Sequence, residues 1–220
     1  MYPKQPNRPA YRNDQTRNIL KVKGEGSVSS APDQANITVG VITEKTEVSA
    51  AQQENAAAIS AVTDAITALG VPEESIQTVE YRIDTQYDFV DGQQQFRGYR
   101  VTHQLRVTLD DIELTGPVVD DAVAAGANSI SSIQFSLADP SAFYNEALTL
   151  ALQDAGRKAE TIGEELGVLV DTPPVSVREI SPSTTPVPFQ TALYASAEGT
   201  PIQPGTLTIL AVVETEFTYN

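Results

Sequence analysis

Between residues 35 and 219 the spacing of apolar side chains changes from two to 3.6 and back, twice over and in the same order. A period of two marks a strand with one buried face and 3.6 marks a helix with one buried stripe, so such a chain must lay helices on a sheet. In the first half Ala35, Ile37, Val39 and Val41 alternate with polar residues, and Ala51, Asn55, Ala58, Ile59, Val62, Ala65, Ile66 and Leu69 share a helical face. Val79, Tyr81, Ile83, Thr85 and Tyr87, then Tyr99 to Leu109, return to alternation. In the second half Ile133, Phe135 and Leu137 precede the stripe Ala147, Leu148, Ala151, Leu152, Ala155, Ala159, Ile162 and Leu166, and residues 175–180 and 206–219 read as strands. An additional strand at Leu20, Val22, Gly24, Gly26 and Val28 comes first and is expected to pair with its successor through a turn at Ala31-Pro32-Asp33. The expected fold class is α+β: two β-α-β-β units with an extra N-terminal strand, a mixed or antiparallel sheet, and helices packed on one face.

Punctuation refines these elements. Ser49 and Gln52 predict a capping box for the first helix, and Gly70 before Pro72 its stop. Thr115 to Ala125 reads as a short helix opened by Pro117 and closed by Gly126, and Asp139-Pro140 predicts the start of the longest helix, which ends at Gly167. The polar stretch 88–98, with Asp91-Gly92 as its turn pair, reads as a hairpin loop. Residues 181–204 carry Pro182, Pro186, Pro188, Pro201 and Pro204 and cannot form a helix or an inner strand. Because loops of this length are uncommon unless functional, and because Phe189, Leu193 and Tyr194 are costly to leave in water, these three are the candidate contacts to a neighbouring copy of the chain. The domain reading is a disordered basic tail at 1–18 followed by one domain at 19–220.

The side-chain inventory is narrow: one histidine, one methionine, no cysteine and no tryptophan in 220 residues. Nucleophilic triads and zinc sites need several imidazole, thiolate or basic partners, so both are nearly out of reach, and no cofactor is expected. The net charge is −15, with residues 1–23 at +5 and the remainder at −20. An acidic body repels phosphate backbones and anionic lipid, so nucleic acid is not an expected partner. No stretch reaches the roughly 20 apolar residues of a membrane helix, and residues 1–18 lack the apolar core of a secretory signal, so no membrane insertion and a cytoplasmic location are expected.

Each candidate for chemistry has a plainer reading beside it. His103 falls on the apolar side of its strand with Tyr99, Val101, Leu105, Val107 and Leu109 and reads as a neutral, hydrogen-bonded histidine. The acid pairs Glu73-Glu74, Asp110-Asp111, Asp120-Asp121 and Glu164-Glu165 point in different directions within any regular element and read as solvated faces. Asp84, Asp88 and Asp91 do not have the spacing of a calcium loop. Gly24-Glu25-Gly26 lacks the third glycine of a nucleotide fingerprint and precedes a strand; its glycines read as places where a helix or another backbone comes close. Asn36-Ile37-Thr38 fits a glycosylation pattern but lies within a strand.

Taken in order, Gly24-Glu25-Gly26, Pro32-Asp33-Gln34-Ala35, Ile76-Gln77-Thr78, Gly98-Tyr99, Gly126-Ala127-Asn128-Ser129-Ile130, Phe135-Ser136-Leu137, Glu146-Ala147-Leu148, the Asp154 to Glu160 segment and Pro204-Gly205 resemble the SIMPL domain family over about residues 20–220. The resemblance implies an α+β domain without established catalytic residues, able to form large ring-like homo-oligomers, in a family with bacterial oxidative-stress and periplasmic members. The leading expectation is a non-catalytic, homo-oligomerising protein with a stress- or envelope-related role. The alternatives are an adaptor that binds a protein or peptide through a sheet edge or the 181–204 loop, and an enzyme using Asp84, Tyr87 and Tyr99. Direct scavenging of oxidants does not fit a chain whose sole methionine is Met1 and which has no thiol.

Overall fold

The computed structural model describes residues 18–180, 187–189, 200 and 202–220. The chain forms β1 (Asn18–Ser30), β2 (Gln34–Lys45), α1 (Val48–Ala68), β3 (Ile76–Val90), β4 (Gln93–Leu109), α2 (Thr115–Ala124), β5 (Ser129–Ser136), α3 (Ser141–Leu166), β6 (Ser176–Glu179), β7 (Val187–Phe189) and β8 (Thr206–Tyr219). Among the described residues the strands make two four-stranded sheets, one in the order β1-β8-β6 with β7 also on β8, the other in the order β3-β4-β2-β5. The α+β class stands. The chain divides into two compact units: of the described residues, the smaller holds 18–27, 145–180 and 210–220, and the larger holds 28–144, 187–189, 200 and 202–209.

In the larger unit β2 is the central strand, antiparallel to β4 from Ala35↔Leu109 to Lys45↔Tyr99 and to β5 from Gln34↔Ser136 to Gly40↔Ser129. One face of β2 carries Ala35, Ile37, Val39 and Val41, all fully buried; α1 covers it with Val62 and Ile66, and α2 with Val118, Val119 and Ala122, in one core. Each Val or Ile so withdrawn from water contributes about 1.5–3 kcal/mol. The α1 stripe also buries Asn55, whose side-chain N–H donates to the carbonyls of Val41 (2.9 Å) and Val101 (3.4 Å).

The hairpin expected between β1 and β2 does not form: β1 lies beside β8, and β2 lies between β4 and β5. The turn residues are engaged elsewhere. Asp33 donates its N–H to the Ser136 carbonyl (3.2 Å), and its carboxylate accepts from the Ala138 N–H (2.8 Å), so the segment before β2 closes on the end of β5. Consequently the two sheets repeat one order, β3-β4-β2 and β6-β8-β1, with β1 filling the place in the second that β2 fills in the first.

The capping box is also not made. Glu47 is the N-cap, extended at φ −111° and ψ 126°, and without a side-chain cap bond. Ala51 N–H already bonds to the Glu47 carbonyl, so Ser49 sits within the first turn, too late to cap it. By contrast, Asp139 does cap α3, its carboxylate accepting from the Ser141 N–H (2.9 Å), and the helix ends at Gly167 with φ 66°. The expected loop at 88–98 is mostly strand. Asp91 and Gly92 make the turn, with φ 52° and 77°, Arg97 is bulged out of the register, and pairing continues to Val90↔Gln93. Two consecutive positive φ values match the twist of the flanking strands, which lets the ladder run to its tip.

In the smaller unit α3 packs on β1 through small residues. A Cβ added to Gly24 would lie 2.0 Å from the Ala151 carbonyl oxygen, and one added to Gly26 would lie 2.1 Å from that of Ala147. Ala147, Ala151, Ala155 and Ala159 are fully buried, whereas Leu152 and Leu166 of the expected stripe are exposed, because a seam this close admits only methyl groups. Val22, Ala159 and Phe217 form the adjoining core with Leu20, Ile162 and Val170 around it.

The 181–204 segment contributes β7, whose Val187, Pro188 and Phe189 pair with Thr208, Leu207 and Thr206. Among the described residues β7 pairs only with β8, the kind of edge position that tolerates a proline. The rest of the tail at 1–17 lies outside the described residues, as do Leu193 and Tyr194 and the side chain of Phe189. Among the described residues no helix is long and apolar enough to cross a membrane.

Candidate functional site

Several residues that carry the family resemblance act as fasteners of the fold. Asn128, presented after Gly126 (φ 113°), accepts from the Ile42 N–H through Oδ1 (2.7 Å) and donates from Nδ2 to the Ile42 carbonyl (2.8 Å). Its amide thereby stands in for one more strand residue beside β2. In the smaller unit the Asp154 carboxylate accepts from the Glu25 N–H (3.0 Å) and from Lys158 (2.7 Å), while Lys158 donates to the Lys23 carbonyl (3.0 Å). Two side chains one helical turn apart thus satisfy backbone groups of β1, the end strand of its sheet. The Lys158 hydrogen bond, followed by that from Glu25, holds the Asp154 carboxyl down at about 2.

His103 on β4 is half-buried, with Nε2 3.1 Å from the Thr78 hydroxyl and its ring edge-on to Tyr81 at 5.2 Å between centroids. Burial lowers its pKa, which keeps the ring neutral near pH 7. The acid pairs are all exposed, and three of their members have structural partners: Asp110 accepts from Gln34, Asp111 from the Glu113 N–H, and Asp120 from Thr200. Among the described residues no three acids or histidine come together in a group that could hold a metal ion.

Asp84, Tyr87 and Tyr99 are not brought into one cleft. Alternation puts Asp84 on the face of β3 opposite Tyr87, where it pairs with Arg82 at 2.7 Å. Tyr87 and Tyr99 instead contact Phe96, at 6.1 Å and 5.3 Å between ring centroids. Asp88 is 3.8 Å from Arg97. The same region holds a network that the sequence gives no local sign of, because its members are more than 50 residues apart: Glu44 on β2 is bound by Arg97 (2.9 Å) and Arg100 (2.7 Å). The Arg100 hydrogen bond keeps the Glu44 carboxyl below its ordinary pKa.

What the larger unit presents most openly is the β3–β4 hairpin. Among the described residues β3 is the end strand of its sheet, and Tyr81, Ile83, Tyr87 and Phe89 on it, with Phe96 on β4, are exposed, Phe89 at 76%. Val101, directly opposite Ile83, is fully buried under α1, so the sheet's covered face ends one strand short of its edge. Gln52 of α1 reaches the Tyr81 hydroxyl at 3.2 Å, and at the start of β3 Ile76 packs against the core that holds Val62 and Ile66 of α1. An aromatic cluster on a strand edge is a surface for association. Carrying the alternation of Tyr81 to Tyr87 one step further to Phe89 is the sequence signal that would have found it.

The SIMPL family model, described as a protein of unknown function (DUF541), matches residues 20–217. The chain is similar to the 26 kDa periplasmic immunogenic protein of Brucella melitensis, 28% identical over 197 residues that cover 84% of this chain and 78% of that one. It is also similar to YggE of Edwardsiella ictaluri, called uncharacterized, 27% identical over 79% of this chain and 72% of that one. YggE of Escherichia coli K12 is 25% identical over 65% of this chain and 58% of its own length. The cytoplasmic expectation is overturned by these comparisons, since relatives from two Brucella species are named as periplasmic proteins. The physical reason is that a compartment is addressed by a removable segment, and the residues of a folded domain do not record it.

Proposed function

This chain belongs to the SIMPL family, and from that premise we propose that it works by assembling with copies of itself and not by catalysis, in the periplasm and in an envelope- or stress-related role. The observation that carries the reading is the outer edge of β3, among the described residues an end strand of 15 residues with Tyr81, Ile83, Tyr87 and Phe89 exposed. Its charged side alternates Glu80, Arg82 and Asp84, with Arg82 between two acids at 3.7 Å and 2.7 Å. Charges on an edge strand usually keep it from pairing. Here the alternation is self-complementary. Antiparallel pairing about a two-fold axis at Ile83 sets Arg82 opposite the partner's Asp84 and Asp84 opposite the partner's Arg82, while on the other side Tyr81 meets the partner's Thr85 and Ile83 the partner's Ile83.

The periplasmic part of the reading is supported by the names of the Brucella relatives, and the absence of cysteine means that the fold depends on neither an oxidising nor a reducing compartment. The stress-related part is supported by the family resemblance alone. Without a thiol it must be indirect.

Light scattering of the full chain through the micromolar range tests the assembly. Arg82→Asp and Asp84→Arg each place like charges opposite one another and should dissociate it, and the two together should restore it, an outcome that surface loss alone does not produce. Assembly untouched by either single substitution moves the interface away from β3; Phe189, Leu193 and Tyr194 are then next, tested by removing residues 181–204. A monomer at every concentration sinks the proposal and leaves the same edge to the alternative, an adaptor that adds an extended peptide as a further strand.

A further inference from the structure

The smaller unit has a cleft of about 570 Å³ whose lining is cationic although the chain as a whole carries −15. β1 contributes Lys21 and Lys23 to the lining and α3 contributes Arg157 and Lys158, with Asp154 as the single lining acid. The floor is apolar, supplied by Val22 and Ile162, which belong to the core beneath.

The acid does not cancel the cations around it. Asp154 is used by the fold: it receives the Glu25 N–H and the Lys158 ammonium, and Arg157 reaches it with one nitrogen at 3.4 Å. Lys158 spends a second donor on the Lys23 carbonyl and has a third left. Lys21 is the most committed of the four, 2.6 Å from Glu216. The Lys23 ammonium has no ion pair among the described residues, and the Arg157 side chain is 70% exposed with most of its donor fork unused. Lys23 and Arg157, cations with free donors on the two elements that line the cleft, make a local attractor for anions in a chain of net charge −15.

The geometry points to a phosphate-binding site in this cleft, with Lys23 and Arg157 as the residues that contact the oxyanion, Lys158 as a shared donor, and Val22 and Ile162 accommodating the carbon stem of a phosphate ester. Arg157 supplies the planar fork suited to two phosphate oxygens, and Lys23 a point charge from β1. The phosphate can come from a soluble ester or from a lipid headgroup. This inference concerns residues of the smaller unit only and does not rest on the assembly proposed for β3.

The test is a titration of the full, isotope-labelled chain with inorganic pyrophosphate at low salt, read from backbone amide shifts, beside co-sedimentation with phosphatidylglycerol and with phosphatidylcholine vesicles. Saturable shifts centred on Val22, Lys23, Arg157 and Lys158 are expected, weakened about tenfold by Lys23→Gln combined with Arg157→Gln, and weakened by added salt. Both substituted side chains are exposed, so the unaltered amide spectrum of the double variant elsewhere verifies its fold. Sedimentation with phosphatidylglycerol alone, abolished by the same double variant, assigns the lipid source; pyrophosphate binding without it assigns a soluble one. No binding to either probe, or binding that the double variant retains, overturns the site.

Discussion

In the smaller unit Gly24 and Gly26 meet Ala147, Ala151 and Ala155 with no room for one more carbon, whereas in the larger unit Tyr87, Phe89 and Phe96 stand at the end of a hairpin with much of their rings in water. The least hydrophobic side chains of the two sets are the ones completely buried. Burial here follows how closely two backbones approach, and then whether a strand lies under a helix or beyond it. The seam gains its stability from contact density, since each glycine lets the helix backbone touch the strand. The hairpin withholds Tyr87, Phe89 and Phe96 from the fold, and that apolar surface remains open to a partner.

The comparison is broken most severely at the seam. Gly24→Val or Gly26→Val drives a side chain into a helix carbonyl 2.0–2.1 Å from the new Cβ, and urea denaturation should show a loss of about 3 kcal/mol or more, or no folded protein at all. A midpoint equal to that of the parent chain would mean that α3 is not seated on β1. Phe89→Ser combined with Phe96→Ser is the converse experiment: stability should stay within about 0.5 kcal/mol while the scattering mass falls to that of a monomer. If the melting temperature falls with the mass held, the rings belong to the fold and not to an interface.

The fastener beside the seam gives a smaller effect with a pH signature. Asp154→Asn keeps an acceptor for Glu25 but loses the charge that Lys158 holds, and should cost about 1 kcal/mol at neutral pH. In the parent chain the carboxyl is depressed from its ordinary 3.8 to about 2. Its contribution is therefore complete above about pH 4 and fades as the pH falls towards 2, and the variant should lack that part of the acid limb in a stability profile. The least effect is expected at His103. Its pKa lies below the ordinary 6.5 because burial disfavours the cation, so the unfolded chain takes the proton first and stability declines as the pH falls through that value. His103→Gln should remove this shallow slope, and proton NMR of the single imidazole should place its midpoint under 6.5; a midpoint above it would mean that an acid faces the ring.

Much of this architecture is readable in the residues. The α1 and α3 stripes, the Asp139 cap, the Gly126 and Gly167 stops and the close approach at Gly24-Glu25-Gly26 follow from local spacing and chemistry. The candidate site was only half legible. The aromatic alternation on β3 is in the sequence, but residues 88–98 look like a loop because their polarity hides a twist-matched Asp91-Gly92 turn that carries the ladder to its tip.

The sequence by itself determined the helices and most of the strands, the places where only glycine fits between strand and helix, and that neither thiol nor multi-imidazole chemistry is open to the chain. These are properties of single residues and of spacings within one element. Only the tertiary structure decided that β1 stands beside β8, that Glu44 meets Arg97 and Arg100, that Lys23 and Arg157 line one cleft, and that Tyr81, Ile83, Tyr87 and Phe89 of β3 stay exposed. Each of these joins residues dozens of positions or more apart, or depends on where a helix stops covering a sheet. Such pairings are set by the competition among all strands for partners and all apolar faces for cover, which no local pattern records.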